Sequence, residues 1–290
     1  MGGVYTHPRY HRAMLAHERG WVEIGDRAYV RRYRSLDQNI GVVLGDGATL
    51  VVDTRSTARQ ANELIGHIRE LRAEAADRLI VVNTHGHWDH AFGNRTFRPA
   101  TIWGHERCVT MIAATGELQR AHAIAELPKL AADIRAVELD PPDRTFSDAA
   151  VVDVGGRRVD LRHLGRGHTD NDIAIVVPDA AVVFAGDLLE SGATPYFGDG
   201  YPIDWPATAD ALAAIVADLG AVVVPGHGDH GGAAFANEQA AAFRSLADLA
   251  RRVESGELSL EDAASRSPFP PADSAGPLER ALAQLRGELG

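Results

Sequence analysis

The stretch NTHGHWDHAFGN, residues 83–94, places His85, His87, Asp89 and His90 within six positions, with Gly86 and Gly93 among and after them. The 290-residue chain holds 13 histidines, so three in one short run ask for a chemical reason. Imidazole nitrogens and carboxylate oxygens are the donors that zinc and related ions take from a rigid frame. His85 and His87 are two apart and point to the same side of an extended backbone. Asp89 and His90 lie past them, where the chain turns into a helix, and can face a second point. Such a run can serve two metal ions close together, but four ligands do not complete two sites.

The second half of the sequence offers three more donors. His168 stands in GRGHTDND, after a strand expected over 159–164. Asp187 ends a hairpin in FAGDLL, and His227 ends a short strand in VVVPGHG. All three sit at strand ends beside glycine, where backbone can approach a metal closely. Taken singly, each has a plainer reading: a loop histidine is commonly solvated, and Asp187 or Asp89 could cap a helix. Those readings leave the three clustered histidines unexplained, as they do the recurrence of donors at strand ends.

The elements that must position these residues follow from periodicity. Strands are expected at 28–34 and across NIGVVLGDGATLVVDT at 39–54, a hairpin with Gly-Asp-Gly at its turn. A helix follows over 57–74, with Thr57 as cap and Ala61, Leu64, Ile65, Ile68 and Leu71 on one face. A short strand, 79–82, runs into the histidine run. The order then repeats: a hairpin with a Pro-Asp turn over 172–187, a helix at 207–218, a strand at 221–224, and His227. The fold expected is α/β, built from two similar halves that bring their histidine loops together. Residues 104–135 read as an alanine-rich helical insertion with a break near Pro128, and 188–206 as a long irregular loop. C-terminal helices are expected near 233–254 and 277–288, joined by a linker-like SRSPFPPADSAGP. The organisation expected is one domain over 1–290.

Composition narrows the function. Hydrophobic residues at 45% with 24% charged read as a soluble globular chain. A formal charge of −11 argues against nucleic acid as partner, since phosphate binding needs an excess of Lys and Arg. The single cysteine, Cys108, excludes an intrachain disulfide and reads as a small buried hydrophobe. The first 21 residues lack the apolar core of a signal peptide, and no stretch reads as a membrane span, so a cytoplasmic location and a small-molecule substrate are expected. A homo-oligomer is left open.

The chain resembles the metallo-β-lactamase fold superfamily. Asp53 in VVDT, the HxHxDH run at 85–90, His168, Asp187 and His227 match its five ordered motifs, over residues 28 to 230. The resemblance implies a four-layer αββα sandwich with metals at one edge. It implies that His85, His87 and His168 hold one zinc, that Asp89, His90 and His227 hold the other, and that Asp187 bridges them. Asp53 would stand behind the metal loop and orient it. Well-known β-lactamase branches carry Cys or Ser near the place of Asp187, and di-iron oxygen reductases carry Glu in place of His87. The remaining resemblance is to glyoxalase II, lactonase and thioesterase-like hydrolases, and to sulfur dioxygenases. A β-lactamase with weak promiscuous activity ranks below these.

The chemistry implied is hydrolysis of a carboxylic ester, thioester, lactone or related bond by a hydroxide bridging two Zn2+, available because zinc lowers the pKa of its water to about 7. Asp89 and Asp187 are the candidates for passing a proton to the leaving group. The alternative is a dioxygenase with one Fe2+ on His85, His168 and Asp187, acting on a persulfide. A fold kept only for binding is a third reading, which the full donor set disfavours. For substrate, Trp88, Tyr196 and Arg166 are candidates, and Tyr196, Phe197, Tyr201 and Trp205 either roof the cleft or pack the loop onto the body.

Overall fold

In the computed structural model of the protein, residues 20–289 are described. The reading of the extreme N-terminus as lacking a signal peptide falls almost wholly outside them. The described residues form two compact units, divided between Leu161 and Arg162.

The first unit opens with antiparallel strands β1 (Val22–Gly25), β2 (Ala28–Tyr33), β3 (Gln38–Leu44) and β4 (Thr49–Val52). β3 and β4 are buried at every position, which is why they read as continuous apolar runs rather than as alternation. Helix α1 (Ala58–Leu71) starts where Thr57 accepts a hydrogen bond from the Gln60 N–H at 3.2 Å. Its buried face is Ala61, Leu64 and Ile68. β5 (Leu79–Val82) then pairs parallel with β4, and the one-turn helix α2 (Trp88–Ala91) follows. β6 (Thr101–His105) pairs parallel with β5. The expected helical insertion is α3 (Glu106–Glu126) and α4 (Ala131–Arg135), separated by a turn of 3₁₀ helix at Pro128. β7 (Arg144–Phe146), β8 (Ala149–Val154) and β9 (Arg157–Arg162) complete the unit. Cys108 is fully buried with Ala91 and Ile112.

The second unit repeats the central order with the same pairing. β10 (Ala174–Val177) and β11 (Val182–Glu190) are antiparallel and joined through Pro178, Asp179 and Ala180. Helix α5 (Trp205–Leu219) follows, and β12 (Val222–His227) pairs parallel with β11, as β5 does with β4. Three helices close the chain: α6 (Ala233–Glu254), α7 (Leu260–Ser265) and α8 (Pro271–Leu285). The linker expected over SRSPFPPADSAGP is half helix, since α8 begins at Pro271. Proline at the first helical position loses no hydrogen bond, and its fixed φ suits the turn. Ser274 adds a hydrogen bond to the Pro270 carbonyl at 2.9 Å, and Leu278, Ala281 and Leu282 are buried.

The irregular segment before α5 is held from inside. Phe197 is 4% exposed and Trp205 fully buried, both in the core of the second unit. Trp205 stacks on Phe243 at 4.5 Å between ring centroids, lies 4.9 Å from Phe197, and donates its indole N–H to the Leu188 carbonyl at 3.2 Å. Phe197 and Trp205 therefore anchor the loop and do not roof a cleft. A Trp205→Ala substitution is expected to cost about 3–5 kcal/mol, as loss of a large buried aromatic does. Urea denaturation reads it, and a change under about 1 kcal/mol would mean the core closes over the gap.

Candidate metal centre

The histidine run leaves β5 and enters α2, so a rigid strand end delivers His85 and His87 while the helix turns Asp89 and His90. All four residues are under a tenth exposed. Asp53, at the end of β4, lies behind them. Its Oδ1 accepts from the Thr84 N–H at 2.8 Å, and its Oδ2 accepts from the Thr84 hydroxyl at 2.8 Å and from His90 Nδ1 at 2.8 Å. A carboxylate only accepts, so His90 carries its proton on Nδ1 and turns Nε2 outward. The Thr84 hydroxyl spends its proton on Asp53 and can only accept from His85 Nδ1, 3.0 Å away. His85 therefore also carries its proton on Nδ1 and none on Nε2. One carboxylate thus sets the tautomer of two imidazoles.

Within each unit the outward atoms come together. His85 Nε2 and His87 Nδ1 are 3.0 Å apart, and His90 Nε2 is 3.3 Å from Asp89 Oδ2. In the second unit His168 donates Nδ1–H to the Tyr196 carbonyl at 3.0 Å, which leaves Nε2 facing Asp187 Oδ2 at 3.4 Å. His227 Nε2 lies 3.4 Å from that same oxygen, so Asp187 Oδ2 stands between two imidazoles. Donors on a tetrahedral zinc with bonds of about 2.0–2.1 Å sit about 3.3–3.4 Å apart. The separations within each unit suit such an ion, and the donor set in each fits the metal that the sequence implies.

The loop is held by residues the sequence reading passed over. Asn83 and Asn94, the first and last residues of the quoted stretch, bond to each other side chain to side chain at 2.7 and 3.0 Å and close it like a clasp. Thr54 donates to Asn94 at 2.8 Å and Gln38 to the Asp89 carbonyl at 2.6 Å. Gly93 packs so tightly that an added Cβ would lie 2.0 Å from the Thr54 carbonyl oxygen. Asp53 and Arg55 both adopt positive φ, 66° in each case, a strained conformation of the kind that gathers at functional loops. A hydroxyl beside a histidine and asparagines at both ends of a histidine loop were the available signals.

The candidate substrate residues differ in placement. Trp88 begins α2 and is half-buried. Tyr196 is half-buried, with its ring 6.0 Å from that of His168. Arg166 is ion-paired with Asp204, at 2.5 Å, and lies 4.4 Å over the ring of Tyr201.

The chain belongs to the metallo-beta-lactamase superfamily, whose family model matches residues 34–227. Its α/β fold is the fold of that family. It is 30% identical over 125 residues to a metallo-beta-lactamase type 2 of Bacteroides fragilis, a match covering 42% of this chain and 50% of that protein. It is 26% identical over 163 residues to a hydroxyacylglutathione hydrolase of Erythrobacter litoralis, covering 55% of this chain and 52% of that one. The chain thus spans about half the length of these curated relatives. A solved metallo-beta-lactamase from Pontibacter korlensis superposes with a TM-score of 0.63 at 17% identity, over 77% of this chain and 98% of that one. No helix among the described residues is long and apolar enough to cross a membrane.

Proposed function

We propose that the chain is a dinuclear zinc hydrolase of a carboxylic ester, thioester or lactone. In this reading His85, His87 and His168 hold one ion, Asp89, His90 and His227 the other, and Asp187 is shared. The observation that carries it is the orientation of the imidazoles. His85, His90 and His168 each turn Nδ1–H towards a fixed acceptor, so the Nε2 atom that faces His87 Nδ1, Asp89 Oδ2 and Asp187 Oδ2 respectively carries no proton; against the two carboxylates this sets lone pair against lone pair, which a cation between them relieves. Two zinc ions, when bound, supply hydroxide at neutral pH and polarise the acceptor oxygen of the substrate.

The side chains do the rest. Asp89 and Asp187 offset part of the positive charge and leave enough to meet the anion that forms at the substrate carbonyl. Asp187, buried between His168 and His227, is the carboxylate placed to hold a proton on its way to the leaving group. Trp88 and Tyr196 are the half-buried aromatics beside donors and can wall the substrate. The relative that hydrolyses a glutathione thioester by name supports a thioester as one substrate class.

Metal content per chain, by mass spectrometry on protein grown without added metal, tests the reading. About two zinc ions per chain, with turnover of an ester, thioester and lactone panel that a chelator abolishes, is the expected result. About one iron per chain, with oxygen consumed on persulfides, would overturn it in favour of the dioxygenase.

A further inference from the structure

Glu190 ends β11, three residues after Asp187, and is only 3% exposed. A carboxylate so deeply buried needs donors. Its Oε1 accepts from the Tyr196 N–H at 2.8 Å, and the carbonyl of the same residue accepts from His168 Nδ1 at 3.0 Å. Tyr196 is thus held by Glu190 on one side and holds His168 on the other. The base from which Glu190 reaches is rigid. Gln239 of α6 accepts from the Glu190 N–H at 3.1 Å and donates to the Glu190 carbonyl. The next residue, Ser191, donates its N–H to the His227 carbonyl at 3.0 Å, and a Cβ built on Gly228 would lie 2.1 Å from the Ser191 carbonyl oxygen. Every one of these residues belongs to the second unit.

Tyr196 lies between β11 and α5, in a segment that is neither helix nor strand, so no ladder of main-chain bonds fixes the direction of its carbonyl. We propose that Glu190 is a positioning residue: its carboxylate fixes the Tyr196 main chain, whose carbonyl keeps the His168 proton on Nδ1 and leaves Nε2 for the metal. This rests on the dinuclear reading above and keeps its ligands, with His168 serving one ion and His227 the other. Glu190 acts on the first of them alone. His168 is set through the Glu190 side chain, whereas His227 is tied to the Ser191 main chain, which a change of side chain at 190 leaves in place. The Tyr196 ring is half-buried and lies 6.0 Å from the ring of His168, so the same hydrogen bond places an aromatic wall beside the metal ligand.

The test compares Glu190→Ala with Glu190→Gln in the full chain. Alanine removes the acceptor; glutamine keeps an acceptor oxygen for the Tyr196 N–H and removes the charge. Proton–nitrogen NMR of the labelled histidines, without zinc and at alkaline pH where imidazoles are neutral, reads the tautomer of His168, its signals assigned by their absence in His168→Gln. The expected result is a single Nδ1–H form in the parent and in Glu190→Gln, and a mixture of tautomers in Glu190→Ala. By chelator competition Glu190→Ala should weaken one of two zinc ions about 10- to 100-fold and leave the other unchanged, while Glu190→Gln stays close to the parent. A Glu190→Ala chain with native circular dichroism and the parental tautomer would overturn the proposal. So would a Glu190→Gln chain as weak for zinc as the alanine variant, since charge and not the hydrogen bond would then be acting. If Glu190→Ala does not fold, Glu190→Leu, which keeps the bulk and offers no acceptor, takes its place. A parent chain that binds no zinc would overturn the dinuclear reading, while the His168 tautomer would still decide whether Glu190 sets it.

Discussion

An Asp53→Asn chain is expected to fold and to bind zinc about 10- to 100-fold more weakly than the parent, with turnover reduced at least as far. Asp53 touches no substrate in the reading above; it acts through His90 and, by way of Thr84, through His85. Asparagine, like aspartate, tolerates the positive φ of this position better than most residues that carry a Cβ, so the backbone is spared. Its amide oxygen can still accept from Thr84. Its amide nitrogen cannot accept from His90 Nδ1–H, so the imidazole is pushed towards the tautomer that carries its proton on Nε2, the atom a metal needs. Asp53→Ala goes further. It leaves the Thr84 N–H, the Thr84 hydroxyl and His90 Nδ1 without their acceptor in a fully buried place, at about 1–3 kcal/mol for each orphaned group. The two variants separate tautomer control from stability. Chelator competition should find both weak, whereas urea denaturation should find only the alanine variant strongly destabilised. Parent-like zinc affinity in Asp53→Asn would mean that the carboxylate only braces the loop.

How much of this was legible in the sequence depended on how far apart the cooperating residues lie. β3, β4 and β5 are buried on both faces and announce themselves as apolar runs bounded by turn residues. The donors of the histidine run are recognisable by type and spacing, and Asp187 and His227 by their place at the ends of β11 and β12. The repeat of hairpin, helix and parallel strand was readable in both halves, because each copy is local. Thr84, Gln38, Asn94 and Glu190 were not: Gln38 reaches the Asp89 carbonyl, Thr84 reaches Asp53 and Asn94 reaches Thr54, all 31 to 51 residues away, and Glu190 accepts from the Tyr196 N–H, whose carbonyl in turn bonds His168. One local rule also misled: prolines at 270, 271 and 277 suggested a linker, although proline opens a helix well. For the aromatic residues of the irregular segment the sequence left roof and packing open, and Phe197 and Trp205 decide for packing, buried in the core where they hold that segment down.

The second large effect is expected from a single methyl group. Gly226 lies in β12 beside the register pair Gly186 and Pro225, and a Cβ built on it would sit 1.8 Å from Asp187 Oδ1 and 3.0 Å from Asp187 Cγ. Gly226→Ala cannot be accommodated with Asp187 in place. The carboxylate is the movable party, because the other close atom, the Gly186 carbonyl carbon at 3.1 Å, belongs to a neighbouring strand of the sheet. Once Asp187 rotates, its Oδ2 no longer stands 3.4 Å from both His168 Nε2 and His227 Nε2. The variant should therefore lose metal and at least about a hundredfold in turnover, the order of effect that follows loss of a placed charge at a reacting centre. It should lose only about 1–3 kcal/mol of stability, as overpacking relieved by one side chain does. Gly276→Ala is the matched control: its added methyl meets nothing within 4 Å and lies in α8, where alanine favours the helix. Zinc content should stay at the parental level in Gly276→Ala and fall in Gly226→Ala. Parental zinc in both would mean that Asp187 is not the carboxylate that joins the two histidines of the second unit.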